Sequence, residues 1–198
     1  MKPTSPLLVA VRHGETAWSR TGQHTGRTDI PLLDEGRSMA TRLHEPLGHW
    51  NFSAVWTSPL SRARDTCALA GYGDGAQPRE ELLEWDYGAF EGQTKDEIRA
   101  TRPHWTLWND GAPGGETARD VGARADRLIA EAQAQPGPVL VFAHGHVLRV
   151  LAARWLGLPP TEGRLFVLGT AALCVLGFDS EGDQPVLQRW NDTSHLHR

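Results

Sequence analysis

The feature that most constrains the fold is a set of short apolar runs that alternate with periodic, half-polar segments. Residues 7–11, Ala54–Thr57 and Val139–Ala143 are almost free of polar side chains, which is typical of strands buried on both faces. The periodic segments between them predict helices over 34–47, 60–70, 94–102, 117–135 and 146–156. Strands that alternate with helices predict a mostly parallel sheet inside a three-layer α/β/α sandwich.

The last third of the chain predicts less regular structure. Residues 166–168 and Leu173–Phe178 are interpreted as a strand pair, and 186–190 as one further strand. We interpret 1–190 as a single domain and 191–198 as a polar C-terminal tail. His195 and His197 lie in that tail and are expected to be frayed.

Composition excludes several classes of protein. The 198 residues carry a formal net charge of −4, which argues against a nucleic-acid binder or an anionic-membrane binder. The longest apolar-rich stretch, residues 165–178, is too short to span a bilayer, and the apolar run near the N-terminus is too short for a signal peptide. Two cysteines without a CxxC motif predict reduced thiols and a cytoplasmic location. The oligomeric state stays open, a homodimer included.

Side chains suited to a phosphate follow three of the predicted strands. Arg12 and His13 follow the first run, Arg62 the second and His144 the third. Ligands of α/β sheets bind at the carboxyl edge of the parallel strands, so neighbouring strands would bring these groups into one cleft. Arginine pairs bidentately with phosphate oxygens, and a neutral imidazole can attack phosphorus.

A phosphoester also needs an acid for its leaving oxygen. Glu84 lies beside Trp85 and Tyr87, two aromatic residues that would keep its carboxyl group partly dry. The His144-Gly145-His146 run could instead be a metal-binding pair, but the chain offers no D-x-H or H-E-x-x-H partner for it. We therefore expect no metal and no cofactor.

Four motifs, in order along nearly the whole chain, resemble those of the histidine phosphatase superfamily, whose members share a phosphoglycerate mutase-like fold. They are RHGET at 12–16, S-x-L-x-R-A-x-x-T at 58–66, E-x-x-x-G-x-x-E-G at 84–92 and V-x-A-H-G-H at 141–146. The resemblance implies a nucleophilic His13 that forms a phosphohistidine. It also implies that Arg12, Arg62 and His144 bind the phosphoryl oxygens and that Glu84 protonates the leaving oxygen.

The segment GQHTGRTDIPL at 22–32 is similar to one shared by broad-specificity acid phosphatases and sedoheptulose-1,7-bisphosphatase-like enzymes. The resemblance implies a small phosphoester substrate, with sugar phosphates or bisphosphates favoured. The candidate substrate-binding residues are Gln23, Thr25, Gly26, Ser19, Gly145 and His24. Ser19 departs from the wider superfamily, many members of which carry a phosphate-holding Asn there.

The alternatives to hydrolysis are a mutase, a phospho-ligand binder without catalysis and a phosphoprotein phosphatase. A phosphoglycerate mutase would need an additional segment that closes over the site and excludes water. The interval 85–139 is too short to contain such a segment. A non-catalytic phospho-ligand binder would not need the full set of catalytic residues. A phosphoprotein phosphatase would need a docking surface for its partner, and the sequence offers no candidate segment for one. Phosphomonoester hydrolysis is therefore the interpretation that the sequence favours.

Several nearby side chains are predicted to have structural roles. Arg149 is predicted to be solvated or salt-bridged, and His146 to start a helix. The segment 117–135, with Arg119, Arg124 and Arg127, is predicted to be an amphipathic surface helix. The tryptophans expected to wall the cleft are Trp18, Trp85, Trp105 and Trp108.

Overall fold

A six-stranded sheet forms the centre of the molecule in the computed structural model, which describes residues 7–197. The strands are β1 (Leu8–Arg12), β2 (Ala54–Thr57), β3 (Gln77–Pro78), β4 (Val139–Ala143), β5 (Leu173–Phe178) and β6 (Pro185–Asp192). Their order across the sheet is β3-β2-β4-β1-β5-β6. The first four are parallel, and β5 is antiparallel to both of its neighbours. The predicted mostly parallel sheet is confirmed.

Eight α-helices connect and cover the strands within the described range. They are α1 (Ala17–Thr21), α2 (Asp34–Arg42), α3 (His44–Leu47), α4 (Ser61–Leu69), α5 (Lys95–Thr101), α6 (Leu107–Asp110), α7 (Ala118–Gln133) and α8 (Gly145–Trp155). The predicted helix 34–47 is divided into α2 and α3. No helix in residues 7–197 is long and apolar enough to cross a lipid bilayer.

Alternating side chains of the central strands build two separate cores. Val9 and Val11 of β1 pack on one face of the sheet, and Leu8 and Ala10 pack on the other. The first core is completed by residues from α2, α3 and α4, and the second by residues from α7 and α8. Burial on both faces is the reason these strands contain almost no polar residues, and it gives the predicted three layers.

One strand predicted for the last third of the chain is absent, whereas the strand predicted at 186–190 lies within β6. Residues 166–168 form no strand, and β5 pairs with β6 instead. The carbonyl of Leu168 accepts a hydrogen bond from Arg12 Nη1 at 2.5 Å, and that of Val167 accepts one from Trp190 Nε1 at 2.7 Å. These side-chain partners replace the strand partner that the apolar pattern suggested.

The predicted polar tail 191–198 is largely part of the fold. Strand β6 runs through Asp192, and His195 is buried, with only 6% of its surface exposed. The Leu196 carbonyl accepts a hydrogen bond from Arg42 Nη1 at 2.7 Å. His195 is therefore not frayed, whereas His197 is exposed. Arg198 lies outside the described residues.

Candidate active site

The two histidines predicted to converge lie at the ends of adjacent strands. The register of β1 and β4 sets Arg12 opposite Ala143. The backbone N–H of His13 donates to the Ala143 carbonyl at 2.9 Å. The imidazole rings of His13 and His144 are consequently neighbours, with centroids 5.2 Å apart.

The turn after His13 requires glycine because two backbones meet there. A Cβ atom on Gly14 would lie 2.2 Å from the Gly36 carbonyl oxygen of α2. No side chain fits that space without displacing backbone. The Gly14 N–H also donates to Thr66 Oγ1 on α4 at 3.0 Å. Helices α2 and α4 thereby hold the His13 backbone in place.

One hydrogen bond determines which nitrogen of His13 can react. Nδ1 lies 2.7 Å from the Gly14 carbonyl oxygen, and since a carbonyl only accepts, Nδ1 carries the proton. In the neutral ring Nε2 then keeps a free lone pair. Burial lowers the pKa of His13 well below its usual range, and the nearby cations Arg12 and Arg62 lower it further.

We expect His13 to remain neutral in mildly acidic solution. Its lowered pKa means that the imidazole gains a proton only well below the usual 6.5, so the nucleophilic form persists where a free histidine is mostly charged. Two-dimensional ¹H–¹⁵N spectra of the ¹⁵N-histidine-labelled protein at about pH 6 should show His13 as the neutral Nδ1–H tautomer. A cationic His13 at that pH would contradict this prediction.

Arg12 presents an unused hydrogen-bond donor beside His13. Its Nε atom is buried and has no partner among the described residues, although Nη1 is held by the Leu168 carbonyl. A buried, unpaired donor on a cation is costly unless a ligand satisfies it. Burial lowers the pKa of Arg12, an effect that the negative charge of Glu84 opposes.

Arg62 and His144 lie behind His13 and contact protein groups. Arg62 Nε donates to His144 Nδ1 at 3.0 Å, so His144 Nε2 carries the ring proton and donates to Ser58 Oγ at 2.7 Å. The two Nη atoms of Arg62 donate to the carbonyls of Thr25, Gly26 and Thr28. Burial, followed by the charge of Arg62, lowers the pKa of His144 well below its usual range.

Glu84 is held at the N-terminus of α8 by three backbone N–H groups. Oε1 accepts from Trp85 at 2.9 Å and from Val147 at 2.8 Å, and Oε2 accepts from His146 at 2.9 Å. A carboxylate offers about four lone-pair sites. One site therefore remains, on Oε2. The side chain is 4% exposed, which agrees with the partly dry setting expected from the sequence.

A pocket of about 190 Å³ connects these groups to solvent. Arg12, His13, Glu84 and Gly145 are among the residues that line it. Gly145 lies against the Arg12 guanidinium, since a Cβ on it would be 3.4 Å from Arg12 Cζ. Arg62 and His144 are not among the lining residues.

The loop from Ser19 to Thr25 forms one side of the pocket. Four of the predicted substrate-binding residues line the pocket, namely Ser19, Gln23, His24 and Thr25, but Gly26 does not. Gly26 is buried behind the wall, where its N–H donates to Glu91 Oε1 at 2.8 Å.

All four of these lining side chains have protein partners: His24 Nδ1 lies 2.7 Å from the Gln93 carbonyl oxygen, and Thr25 Oγ1 donates to the Gln23 carbonyl at 3.1 Å. The Ser19 hydroxyl accepts from the Thr16 N–H at 2.9 Å and donates to the Thr16 carbonyl at 3.0 Å, which completes the cap of α1. Gln23 Nε2 donates to the Gly92 carbonyl at 2.8 Å. These contacts order the loop itself.

The pocket is also lined by residues that the sequence analysis missed as site residues, namely Tyr87, His146, Arg149 and Leu168. The prediction of a solvated or salt-bridged Arg149 is wrong. Its guanidinium stacks over the Trp108 ring at 4.7 Å, and its Nε and Nη2 donate to the carbonyls of Gly163 and Arg164. The spacing of three between His146 and Arg149, which puts both on one helix face, was the available signal.

The four tryptophans expected to wall the cleft are not among the pocket-lining residues. Trp85 and Trp108 pack against the ring of His146, and Trp105 packs edge-on to His24. They therefore support two of the lining histidines from behind. Residues 7–197 contain no group of three or more His, Cys, Asp or Glu side chains that could hold a metal ion.

Comparison with known proteins gives consistent matches over nearly the full chain. The histidine phosphatase superfamily (branch 1) matches residues 8–193. An acid phosphatase of Mycobacterium tuberculosis is 40% identical over 176 residues, which cover 87% of this chain and 86% of that protein. Sedoheptulose 1,7-bisphosphatase of Saccharomyces cerevisiae is 35% identical over 190 residues, with 80% and 70% covered. The solved structure of the Mycobacterium tuberculosis open reading frame Rv3214 superposes with a TM-score of 0.87 at 38% identity, covering 94% of this chain and 97% of that one.

Proposed function

Because this chain belongs to the histidine phosphatase superfamily, we propose that it hydrolyses phosphomonoesters by way of a phosphohistidine on His13. It is a hydrolase of the phosphatase type. The observation that carries the residue assignment is the pairing of a free Nε2 on a neutral His13 with the unpartnered, buried Nε of Arg12. A phosphoryl group at this point would meet a nucleophile and a cationic donor at once.

The remaining groups take the following roles in this proposal. His13 Nε2 attacks phosphorus while Arg12 binds the phosphoryl oxygens. Arg62 supplies preorganised positive charge close behind His13, and its hydrogen bonds tie the 25–28 loop to His144, whose ring lies beside that of His13. Glu84 passes a proton through its free Oε2 site, first to the leaving oxygen and then from the attacking water.

A further arginine in the pocket lining, Arg149, favours sugar phosphates or sugar bisphosphates as substrates. Among residues 7–197, Nη1 of Arg149 has no hydrogen-bond partner, while stacking on Trp108 fixes the guanidinium in the pocket lining. A cation there suits a second anionic group on the substrate. The name of one relative, sedoheptulose 1,7-bisphosphatase, supports the same substrate class.

Replacing Arg149 tests this substrate preference. Arg149→Met removes the charge but keeps an unbranched side chain over Trp108, so kcat/KM for a sugar bisphosphate should fall about tenfold or more. Activity on p-nitrophenyl phosphate, which has no second anionic group, should change little. Arg154→Met, on the same helix and outside the pocket lining, is the matched control. Equal losses on both substrates would remove Arg149 from substrate selection.

A screen of phosphorylated metabolites, run with and without EDTA, tests the function as a whole. We expect release of inorganic phosphate from several sugar phosphates, unchanged by the chelator because arginines take the place of a cation. Phosphate transfer between positions of phosphoglycerate that outpaces phosphate release would establish a mutase instead. Loss of activity with EDTA would revive the metal mechanism.

We also propose a cytoplasmic location. Cys67 and Cys174 are both buried and unpaired, and burial raises the pKa of each thiol to about 12. Such thiols are inert packing residues that need no oxidising compartment.

A further inference from the structure

The segment that carries Glu84 is held by an ion pair from another part of the chain, and the arginine of this pair is buried. Apart from the 3-10 turn Glu80–Leu82, residues 80–86 form no regular element. Arg124, in the middle of α7, reaches this segment with a side chain that is only 8% exposed. Its partner is Glu116, just before the start of α7. Arg124 is therefore buried, unlike the surface position predicted for the arginines of this helix, whereas Arg127 is exposed.

Arg124 holds the residues that precede Glu84. Its Nε and Nη2 atoms donate to the two oxygens of Glu116 at 2.9 and 3.1 Å, a bidentate arrangement. Nη1 donates to the carbonyls of Glu81 and Leu83 at 2.8 and 2.6 Å. The third nitrogen of the guanidinium, Nη1, thus holds the backbone directly before Glu84.

Glu116 holds the residues that follow Glu84. Its Oε2 accepts from the Asp86 N–H at 2.9 Å, and its backbone N–H donates to the Asp86 carbonyl at 2.9 Å. Its backbone carbonyl accepts from Trp85 Nε1 at 2.8 Å. The pair consequently fixes the chain on both sides of Glu84 without contacting the Glu84 carboxylate.

We propose that Arg124 and Glu116 are positioning residues for the proton-transfer step, an inference that depends on the function proposed for Glu84. The Glu84 carboxylate has to reach the N–H groups of His146 and Val147 on α8. A displaced backbone would carry its free Oε2 site away from the leaving oxygen. Small displacements of a catalytic group cost large factors in rate. None of the hydrogen bonds of His13 involves residues 80–86, so transfer to His13 from a leaving group that needs no acid should be much less sensitive to this segment.

The test compares two substrates on the same protein preparation. Arg124→Met keeps the bulk of the side chain but leaves the Glu81 and Leu83 carbonyls without their donor. We expect kcat/KM for an alkyl phosphate such as glycerol phosphate to fall about tenfold further than that for p-nitrophenyl phosphate. The activated nitrophenolate leaves without help from an acid. The ratio of the two rates does not change with the fraction of folded protein, so a loss of stability alone cannot produce this result.

Two further variants keep the test decisive. Glu116→Gln is nearly isosteric. It should lower the ratio of kcat/KM for the alkyl phosphate to kcat/KM for p-nitrophenyl phosphate, even if Arg124→Met does not fold. Arg127→Met is the matched control, because Arg127 is an exposed arginine on the same helix, and it should leave the ratio unchanged. Equal losses on both substrates, or no loss, in Arg124→Met and Glu116→Gln would overturn the proposal.

A double variant separates this proposal from the function on which it depends. If the pair acts through Glu84, Arg124→Met should not lower the ratio further in a Glu84→Gln background. A further fall there would overturn the positioning role. If Glu84→Gln alone leaves the ratio unchanged, the acid role of Glu84 has failed, and the assignment of Glu84 is wrong rather than that of Arg124.

Discussion

Replacing His13 by asparagine lowers kcat about 10⁴-fold or more on every phosphomonoester substrate, because it removes the nucleophile itself. Asparagine is the informative choice here. Its amide N–H can donate to the Gly14 carbonyl as Nδ1 does at 2.7 Å, so the turn keeps its hydrogen bond while Nε2 is lost. The leaving group should make no difference to the size of the loss. Steady-state kinetics on an aryl and an alkyl phosphate measure it.

The matched control for this variant is His104→Asn. His104 is exposed and lies outside the pocket lining, so the same exchange of residue types should leave kcat unaltered. A His13→Asn protein with normal unfolding behaviour and an appreciable fraction of wild-type activity would require a different nucleophile.

Glu84→Gln should divide substrates by their leaving groups. Activity on alkyl phosphates should fall by about 10²- to 10⁴-fold, the usual contribution of a general acid, and activity on p-nitrophenyl phosphate by far less. The amide oxygen would keep the place of Oε1, which accepts from Trp85 and Val147. The amide nitrogen would then replace Oε2, which removes the proton-carrying site and faces the His146 N–H.

This arrangement also has a cost for stability. Two opposed N–H groups leave a buried donor unsatisfied, worth about 1–3 kcal/mol, so the free energy of unfolding of Glu84→Gln should fall by that amount. Denaturant titration measures it. Equal activity losses on aryl and alkyl phosphates would show that Glu84 supports the site without transferring a proton.

The positions of His13 and His144 could be predicted from sequence because each depends only on the strand that directly precedes the residue. A residue placed directly after a buried parallel strand must lie at the carboxyl edge, and this rule brings His13 and His144 together. The neighbouring glycine is explained by the contact of Gly14 with Gly36, although the sequence contains no sign of which backbone approaches it.

The parts that escaped prediction depend on contacts between distant segments. Arg124 has the pattern of a surface arginine, and its burial follows only from carbonyls of the 80–86 segment and the carboxylate of Glu116. His195 lies in a polar run, yet it is 6% exposed because the segment after β6 folds back onto the sheet. Periodicity describes one element at a time and carries no information on such partners.

The most direct test of the account is to find where the phosphoryl group goes. Wild-type protein and Glu84→Gln should be mixed rapidly with p-nitrophenyl phosphate, denatured in alkali to preserve phosphohistidine, digested and examined by mass spectrometry. We predict one phosphoryl group on His13, bonded through Nε2, and none in His13→Asn. A burst of nitrophenolate without a phosphorylated His13, or a phosphoryl group on another residue, would contradict the central claim.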